Sequence, residues 1–284
     1  MRSGTWLRRG LAVTLGLGLS TAPAAAQTDD EPAEPPTGAS ASSDAELARQ
    51  LNNPISSLIS VPFQENIDFG IGPADGYRST LNIQPVVPIQ VADDWNLILR
   101  TILPVIQQGD VTAQGAEEFG LGDVLQSFFF SPRTPGPSGI IWGAGPAVLY
   151  PTGTERALGS QKLGVGPTVV VIKQSGGTTI GLLANHIWSI AGNDGRPNIS
   201  ATFLQPIFSH TTASSTTFGL NAEASYDWIG DNWLVPVNFT VTHLTRMGDQ
   251  RISVGGGLRY YVERPDGGPE WGFRLIFTLL FPRG

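Results

Sequence analysis

Phe218 to Trp228 reads FGLNAEASYDW and alternates without a break. Phe218, Leu220, Ala222, Ala224, Tyr226 and Trp228 share one face; Gly219, Asn221, Glu223, Ser225 and Asp227 share the other. That period of two fits a strand with one apolar and one polar face, and does not fit a helix. The pattern recurs. Asn82 and Gln84 alternate with Leu81, Ile83 and Val87, and Asn238, Thr240 and Thr242 with Val237, Phe239 and Val241. Arg259 stands between Leu258 and Tyr260, and Arg274 between Phe273 and Leu275. After residue 53 no helical period competes.

Twelve such segments are expected, over 56–70, 77–91, 95–107, 119–131, 139–150, 162–174, 178–190, 198–210, 216–229, 232–246, 250–263 and 270–281. Strands of soluble proteins usually have about 5–6 residues. A strand of about 12 residues, rising ~3.3 Å each and tilted ~45°, spans about 28 Å, the depth of a bilayer's hydrocarbon core. The connectors alternate as well. Short ones are expected at 92–94, 132–138, 175–177, 211–215 and 247–249, and the longest, 108–118 and 151–161, both fall on the opposite side. An even strand count with short turns at one end and longer loops at the other describes a bacterial outer-membrane barrel. The expected fold is therefore all-β: a twelve-stranded antiparallel transmembrane β-barrel over 54–284. Trp95, Trp228, Trp233, Trp271, Tyr77 and Tyr150 lie at strand ends, where an interfacial girdle needs them.

Composition agrees. Only 14% of the 284 residues are charged, against about 25% in average soluble domains. Net charge is −7, so no basic face for nucleic acid is expected. With no Cys, disulfides, thiolate metal sites and cysteine nucleophiles are excluded. Arg2, Arg8 and Arg9, the apolar run Leu11–Leu19 and Ala24-Ala25-Ala26 have the order of a secretory signal peptide over 1–26. Residues 27–53 read as an acidic, Pro/Ala-rich periplasmic tail, within which 44–50 (DAELARQ) forms either a short helix or a frayed linker.

The last strand, Glu270-Trp-Gly272-Phe-Arg-Leu275-Ile-Phe277, resembles the signal read by the outer-membrane barrel assembly machinery, carried by Glu270, Gly272, Leu275 and Phe277. Further stretches resemble a group of proteobacterial outer-membrane proteins. They are Asn53-Pro-Ile-Ser-Ser-Leu-Ile-Ser-Val-Pro-Phe63, Asp94-Trp-Asn-Leu97, Phe119-Gly-Leu-Gly-Asp123, Ala184-Asn-His-Ile-Trp188, Phe203-Leu-Gln-Pro206 and Asp266-Gly-Gly-Pro-Glu-Trp271. The group is related to the "meta-pathway of phenol degradation" family. That resemblance implies passage of small molecules, aromatic or hydrophobic ones among them, across the outer membrane.

Catalytic motifs are nearly absent. The G-x-G pairs at Gly70, Gly120, Gly143 and Gly164 lack the third glycine of a dinucleotide loop and open no helix, so sheet geometry is their better explanation. His186, His210 and His243 fall on three different strands with no metal-ligand spacing. A barrel lipase would set Ser and His two apart on one face. Ser189 is three from His186 and points the other way. No enzyme, metal or cofactor is expected.

The functional signal lies on the polar face. With the apolar face toward lipid, Asn82, Gln84, Arg100, Asp123, Asn221, Glu223, Asp227, Asn238, Thr240, Thr242, Arg259 and Arg274 line the interior. Three Arg against three acids implies a balanced lumen with no ion preference. Glu223 or Asp227 is expected to pair with Arg100, Arg259 or Arg274, because a bare carboxylate in a narrow barrel is costly. Two functions stay open: a channel for small solutes with a polar constriction, or a barrel sealed by its own ion pairs, of structural or partner-binding use. Membrane lipid, the assembly machinery and small solutes are the partners implied.

Overall fold

The computed structural model describes residues 37–136 and 138–281. The signal peptide expected at 1–26 and the tail over 27–36 lie outside the described residues.

Among the described residues one helix, α1 (Thr37–Gln50), precedes the strands. The strands are β1 (Ile59–Ile71), β2 (Gly76–Ile83 with Val86–Gln90), β3 (Trp95–Gly109), β4 (Glu117–Leu121 with Val124–Pro132), β5 (Ile140–Tyr150) and β6 (Lys162–Ser175). They continue as β7 (Thr178–Gly192), β8 (Ser200–Thr211), β9 (Thr216–Ala222 with Ala224–Asp227), β10 (Asn232–Met247), β11 (Gln250–Glu263) and β12 (Trp271–Phe281). Each pairs antiparallel with its neighbour in sequence, and β12 returns to β1 from Ile59↔Phe281 to Phe69↔Trp271. Closure leaves no sheet edge, as a membrane requires.

Three strands are interrupted, and each interruption faces a proline. Gln84 of β2 stands opposite Pro62, Gly122 of β4 opposite Pro104, and Glu223 of β9 opposite Pro236. Proline has no N–H to give the ladder. Its carbonyl still accepts: Gln84 N–H reaches Pro62 O at 2.8 Å, Gly122 N–H reaches Pro104 O at 2.9 Å and Glu223 N–H reaches Pro236 O at 3.0 Å.

The outward face is apolar. Val169, Val171, Ile180, Leu182, Leu220, Phe239, Leu258 and Leu275 are exposed along it. Aromatics mark both ends. Trp95 and Trp142 meet edge to face where β3 and β5 begin. Phe69 stacks on Trp271, and Tyr226 packs with Trp228 and Trp233, at the other end. All three histidines face outward: His186 lies against Trp188 and bonds Thr202, while His210 and His243 bond Thr178 and Thr216.

The end where β1 starts and β12 stops has short turns. α1 and the segment after it sit in this mouth. Pro54 follows the helix and stops it, and Asn52 Nδ2 donates to Ala48 O at 3.0 Å. Ala48, with Leu47 and Leu51 beside it, packs on Leu58, Leu244 and Leu280. Ile55 enters an inner cluster of Val86, Ile98, Phe129, Val170, Ile172 and Leu183. Burying one such isoleucine contributes about 1.5–3 kcal/mol. Two polar ties add to the seat: Arg251 Nε reaches Asp44 Oδ1 at 2.9 Å, and Gln174 Nε2 donates to Arg49 O at 2.9 Å.

Candidate functional site

Above that seat is a cavity of about 570 Å³ inside the barrel. Segment 48–58 closes its lower side, through Ala48, Asn53, Pro54, Ser56 and Leu58 among others. Strand alternation sets the wall. Gln64, Asn66 and Asp68 project inward from β1; Arg78, Thr80, Asn82 and Gln84 from β2; Asn221 and Glu223 from β9. Thr240 and Thr242 of β10, Arg259 of β11 and Arg274 of β12 complete the polar side. The opposite side is mixed: Ile102, Leu125, Phe203 and Ile207 stand beside the polar Asn185 and Gln205. The lumen thus has one charged, polar wall and one mixed wall without charge.

Glu223 is the centre of the polar wall. Arg274 donates to it through Nη1 at 2.9 Å and Nη2 at 2.8 Å, and Arg259 Nη1 adds a third bond at 3.1 Å. Arg259 Nε also reaches Asp68 Oδ1 at 3.0 Å, and its Nη2 donates to Tyr261 Oη at 3.0 Å. Asn66 Oδ1 accepts from Arg274 Nε at 2.7 Å and from Arg259 Nη1 at 3.1 Å. Two guanidiniums and two carboxylates from β1, β9, β11 and β12 therefore form one charge-balanced network. Buried Arg needs this many partners, and the bidentate contact with Glu223 fixes its geometry. Gly272 lies within the network: a Cβ there would come within 2.5 Å of Asp68 Oδ1.

The other expected lumen residues fall as follows. Arg100 Nη2 donates to Gln84 Oε1 at 3.0 Å. Asn238, fully buried, donates through Nδ2 to Asn221 Oδ1 at 2.9 Å. Asn82, Thr240 and Thr242 border the cavity without joining the network.

Two of the expected acids, Asp123 and Asp227, do not border this cavity. Asp123 sits where β4 shifts register by one residue, from Val105↔Leu121 to Ile102↔Leu125. Such a bulge resets which face each residue takes. Asp123 instead holds the loop at 151–161, accepting from Gly153 N–H at 2.9 Å and Ser160 N–H at 2.6 Å. The same loop fills the space that inward Gly120 and Gly122 leave, through Thr154 and Leu158. Asp227 shares the face of Glu223 but stands exposed at the rim, accepting from Ile229 N–H at 2.9 Å.

Asn66, Asp68, Arg78 and Tyr261 were not foreseen. Asn66 and Asp68 alternate with Phe63, Ile67 and Phe69, but Glu65 interrupts that pattern with a charge on the outward face. It is held there by Ser79 Oγ at 2.6 Å. These changes alter the charge. The cavity is lined by Arg78, Arg100, Arg259 and Arg274 against Asp68 and Glu223, an excess of two positive charges rather than a balance.

Of the assembly-signal residues, Glu270 pairs with Arg264 at 2.6 Å just before β12. Leu275 and Phe277 share the outward face of β12, opposite Gly272.

A closed twelve-stranded barrel with an apolar belt, two aromatic ends and a polar interior defines the class: an outer-membrane β-barrel. A crystal structure of an outer membrane channel from Pseudomonas putida F1 is similar in fold, with a TM-score of 0.60 and 16% identity over 79% of this chain and 94% of that one. Two porins match less well. The KdgM porin in complex with disordered oligogalacturonate gives a TM-score of 0.45 and 10% identity, over 78% of this chain and 99% of that one. A second porin gives 0.37 and 9%, with the same coverage. No protein-family model matches the chain, and no curated protein does.

Proposed function

We propose that the chain is a passive outer-membrane channel for small molecules, its turn-side mouth facing the periplasm and closed by its own segment 44–58. The observation that carries this reading is the 570 Å³ cavity, bounded below by residues of that segment rather than by strands. A barrel built only for structure would fill its interior with strand side chains. The excess of positive charge on the lining gives the channel a preference for anions. The apolar residues of the mixed wall, Ile102, Leu125, Phe203 and Ile207, suit solutes with a hydrophobic part, the aromatic solutes implied by the family resemblance included.

The sealed-barrel reading draws on the Glu223 network, which ties four strands together. Flux separates the two. Purified full-length protein in liposomes should pass small sugars and amino acids faster than protein-free liposomes. A folded barrel that passes none belongs to the sealed class. In this reading Glu270, Gly272, Leu275 and Phe277 also serve assembly. Leu275→Ser with Phe277→Ser should then lower the yield of heat-modifiable barrel in cells; unchanged yield would remove that role.

A further inference from the structure

Arg100 and Arg78, both half-buried, differ from the buried Arg259 and Arg274: neither is ion-paired to a carboxylate, and Arg78 Nε donates to the neutral Gln108 Oε1 at 2.7 Å. Arg259 and Arg274 are neutralised by Asp68 and Glu223. Among the described residues Arg100 has one hydrogen-bond partner, the neutral Gln84, and no carboxylate is paired with it. A guanidinium carries five N–H donors, so most of its capacity is unspent. Its position is also particular. On β3 it lies between Ile98 and Ile102; across the ladder it faces Val86 on β2 and Ser127 on β4. To one side run Gln84, Asn82 and Gln64, and to the other Leu125, Phe203 and Ile207, with Asn185 and Gln205 among them. Arg100 therefore marks the seam between the polar wall and the mixed wall, just above the seat of Ile55.

We infer that this seam is a binding site for small amphiphilic carboxylates: the carboxylate on Arg100, beside Gln84 and Asn82, and the hydrocarbon part on Ile102, Leu125, Phe203 and Ile207. The inference rests on the channel reading for its purpose, since it names the solute class that pauses in transit. Its chemistry is independent of that reading. A carboxylate supplies the direct ion pair that Arg100 lacks, through a charge-assisted bond stronger than one to a neutral amide. Ile102, Leu125, Phe203 and Ile207 reward each buried methylene. An inorganic anion gains only the first effect and a neutral amphiphile only the second.

Hexanoate, acetate and hexanamide separate these effects. In planar bilayers with the full-length protein, hexanoate should reduce the chloride current in a saturable way. Acetate and hexanamide should require at least about tenfold higher concentration, each lacking one of the two contacts. Arg100→Gln should raise the half-blocking concentration of hexanoate about tenfold, while Arg100→Lys keeps most of the block. Phe203→Asn gives a second arm that leaves the cation in place: it should weaken hexanoate and leave acetate unchanged. Equal block by acetate and hexanoate, or an unchanged block in Arg100→Gln, overturns the site. Calorimetry on the detergent-solubilised, heat-modifiable protein reads the site without any current. Saturable heat of hexanoate binding in a barrel that never conducts supports the site and overturns the channel reading. Current with neither saturable heat nor block overturns the site and leaves the channel.

Discussion

Glu223 shows how one carboxylate can hold a barrel wall together. It accepts three bonds from two guanidiniums that are almost fully buried. Removing one member of such a buried set leaves an uncompensated charge, which typically costs about 3–5 kcal/mol. Glu223→Gln should accordingly lower the free energy of unfolding in urea by about 3 kcal/mol, since the amide oxygen keeps part of the bonding. It also adds one positive charge to the lining, so the reversal potential in a salt gradient should move further toward anions. Unchanged stability and unchanged selectivity together would show that the network is incidental. Glu65 poses the opposite case. It lies near the middle of β1 on the outward face, among Phe63, Ile67, Leu81 and Leu275, with Ser79 as its hydrogen-bond partner. A lipid-facing acid near the bilayer midplane is unfavourable, though less so than Arg or Lys. Glu65→Leu should raise stability by roughly 1–2 kcal/mol in lipid. Destabilisation on the same substitution would mean that this face meets something other than lipid.

At the scale of the strand, alternation was readable wherever the chain kept its phase. β9 and β10 keep the register expected of them, so Asn221, Glu223, Asn238, Thr240 and Thr242 share the inner face. β4 does not keep phase. The bulge at Gly122–Asp123 is a property of its pairing with β3, opposite Pro104; alternation in β4 is poor around Gln126, but that does not locate the bulge. Asp123, expected to line the open lumen, is instead spent on the loop at 151–161 for that reason. The rim position of Asp227 was hidden differently: alternation gives a face but not a depth. In its actual place Asp123 clamps the loop at 151–161, so Asp123→Ala should expose that loop to protease in intact barrels without changing the heat-modifiable band. Equal protection in the variant would show that Thr152 and Thr154, which also bond β4, suffice on their own.

At the scale of the whole molecule, strand count and closure were legible because a membrane allows few solutions: spanning length, period two and alternating connectors leave a barrel. The seat of α1 was not legible. Residues 44–55 show no strand period, 56–58 read as the start of the first strand although it begins at Ile59, and nothing in the segment names the strands it touches. Ile55 finds Ile98, Phe129 and Leu183 only because the closed barrel brings β3, β4 and β7 around one axis. The same closure unites Arg259 with Asp68, 191 residues earlier in the chain, and Arg274 with Asn66, 208 residues earlier.

The central claim is that a continuous solute path runs through this barrel and is closed by segment 44–58. Single-channel conductance of Ile55→Asp beside the unaltered protein, in the same bilayers, tests it most directly. An aspartate cannot remain in the apolar cluster around Ile98 and Phe129 without a partner, so the segment should leave its seat while the strands stay paired. The account predicts discrete current steps that are several-fold larger, or open far more of the time, in Ile55→Asp than in the unaltered protein. If both proteins are folded and heat-modifiable and neither conducts, or if both conduct equally, the segment does not close a path and the account is wrong.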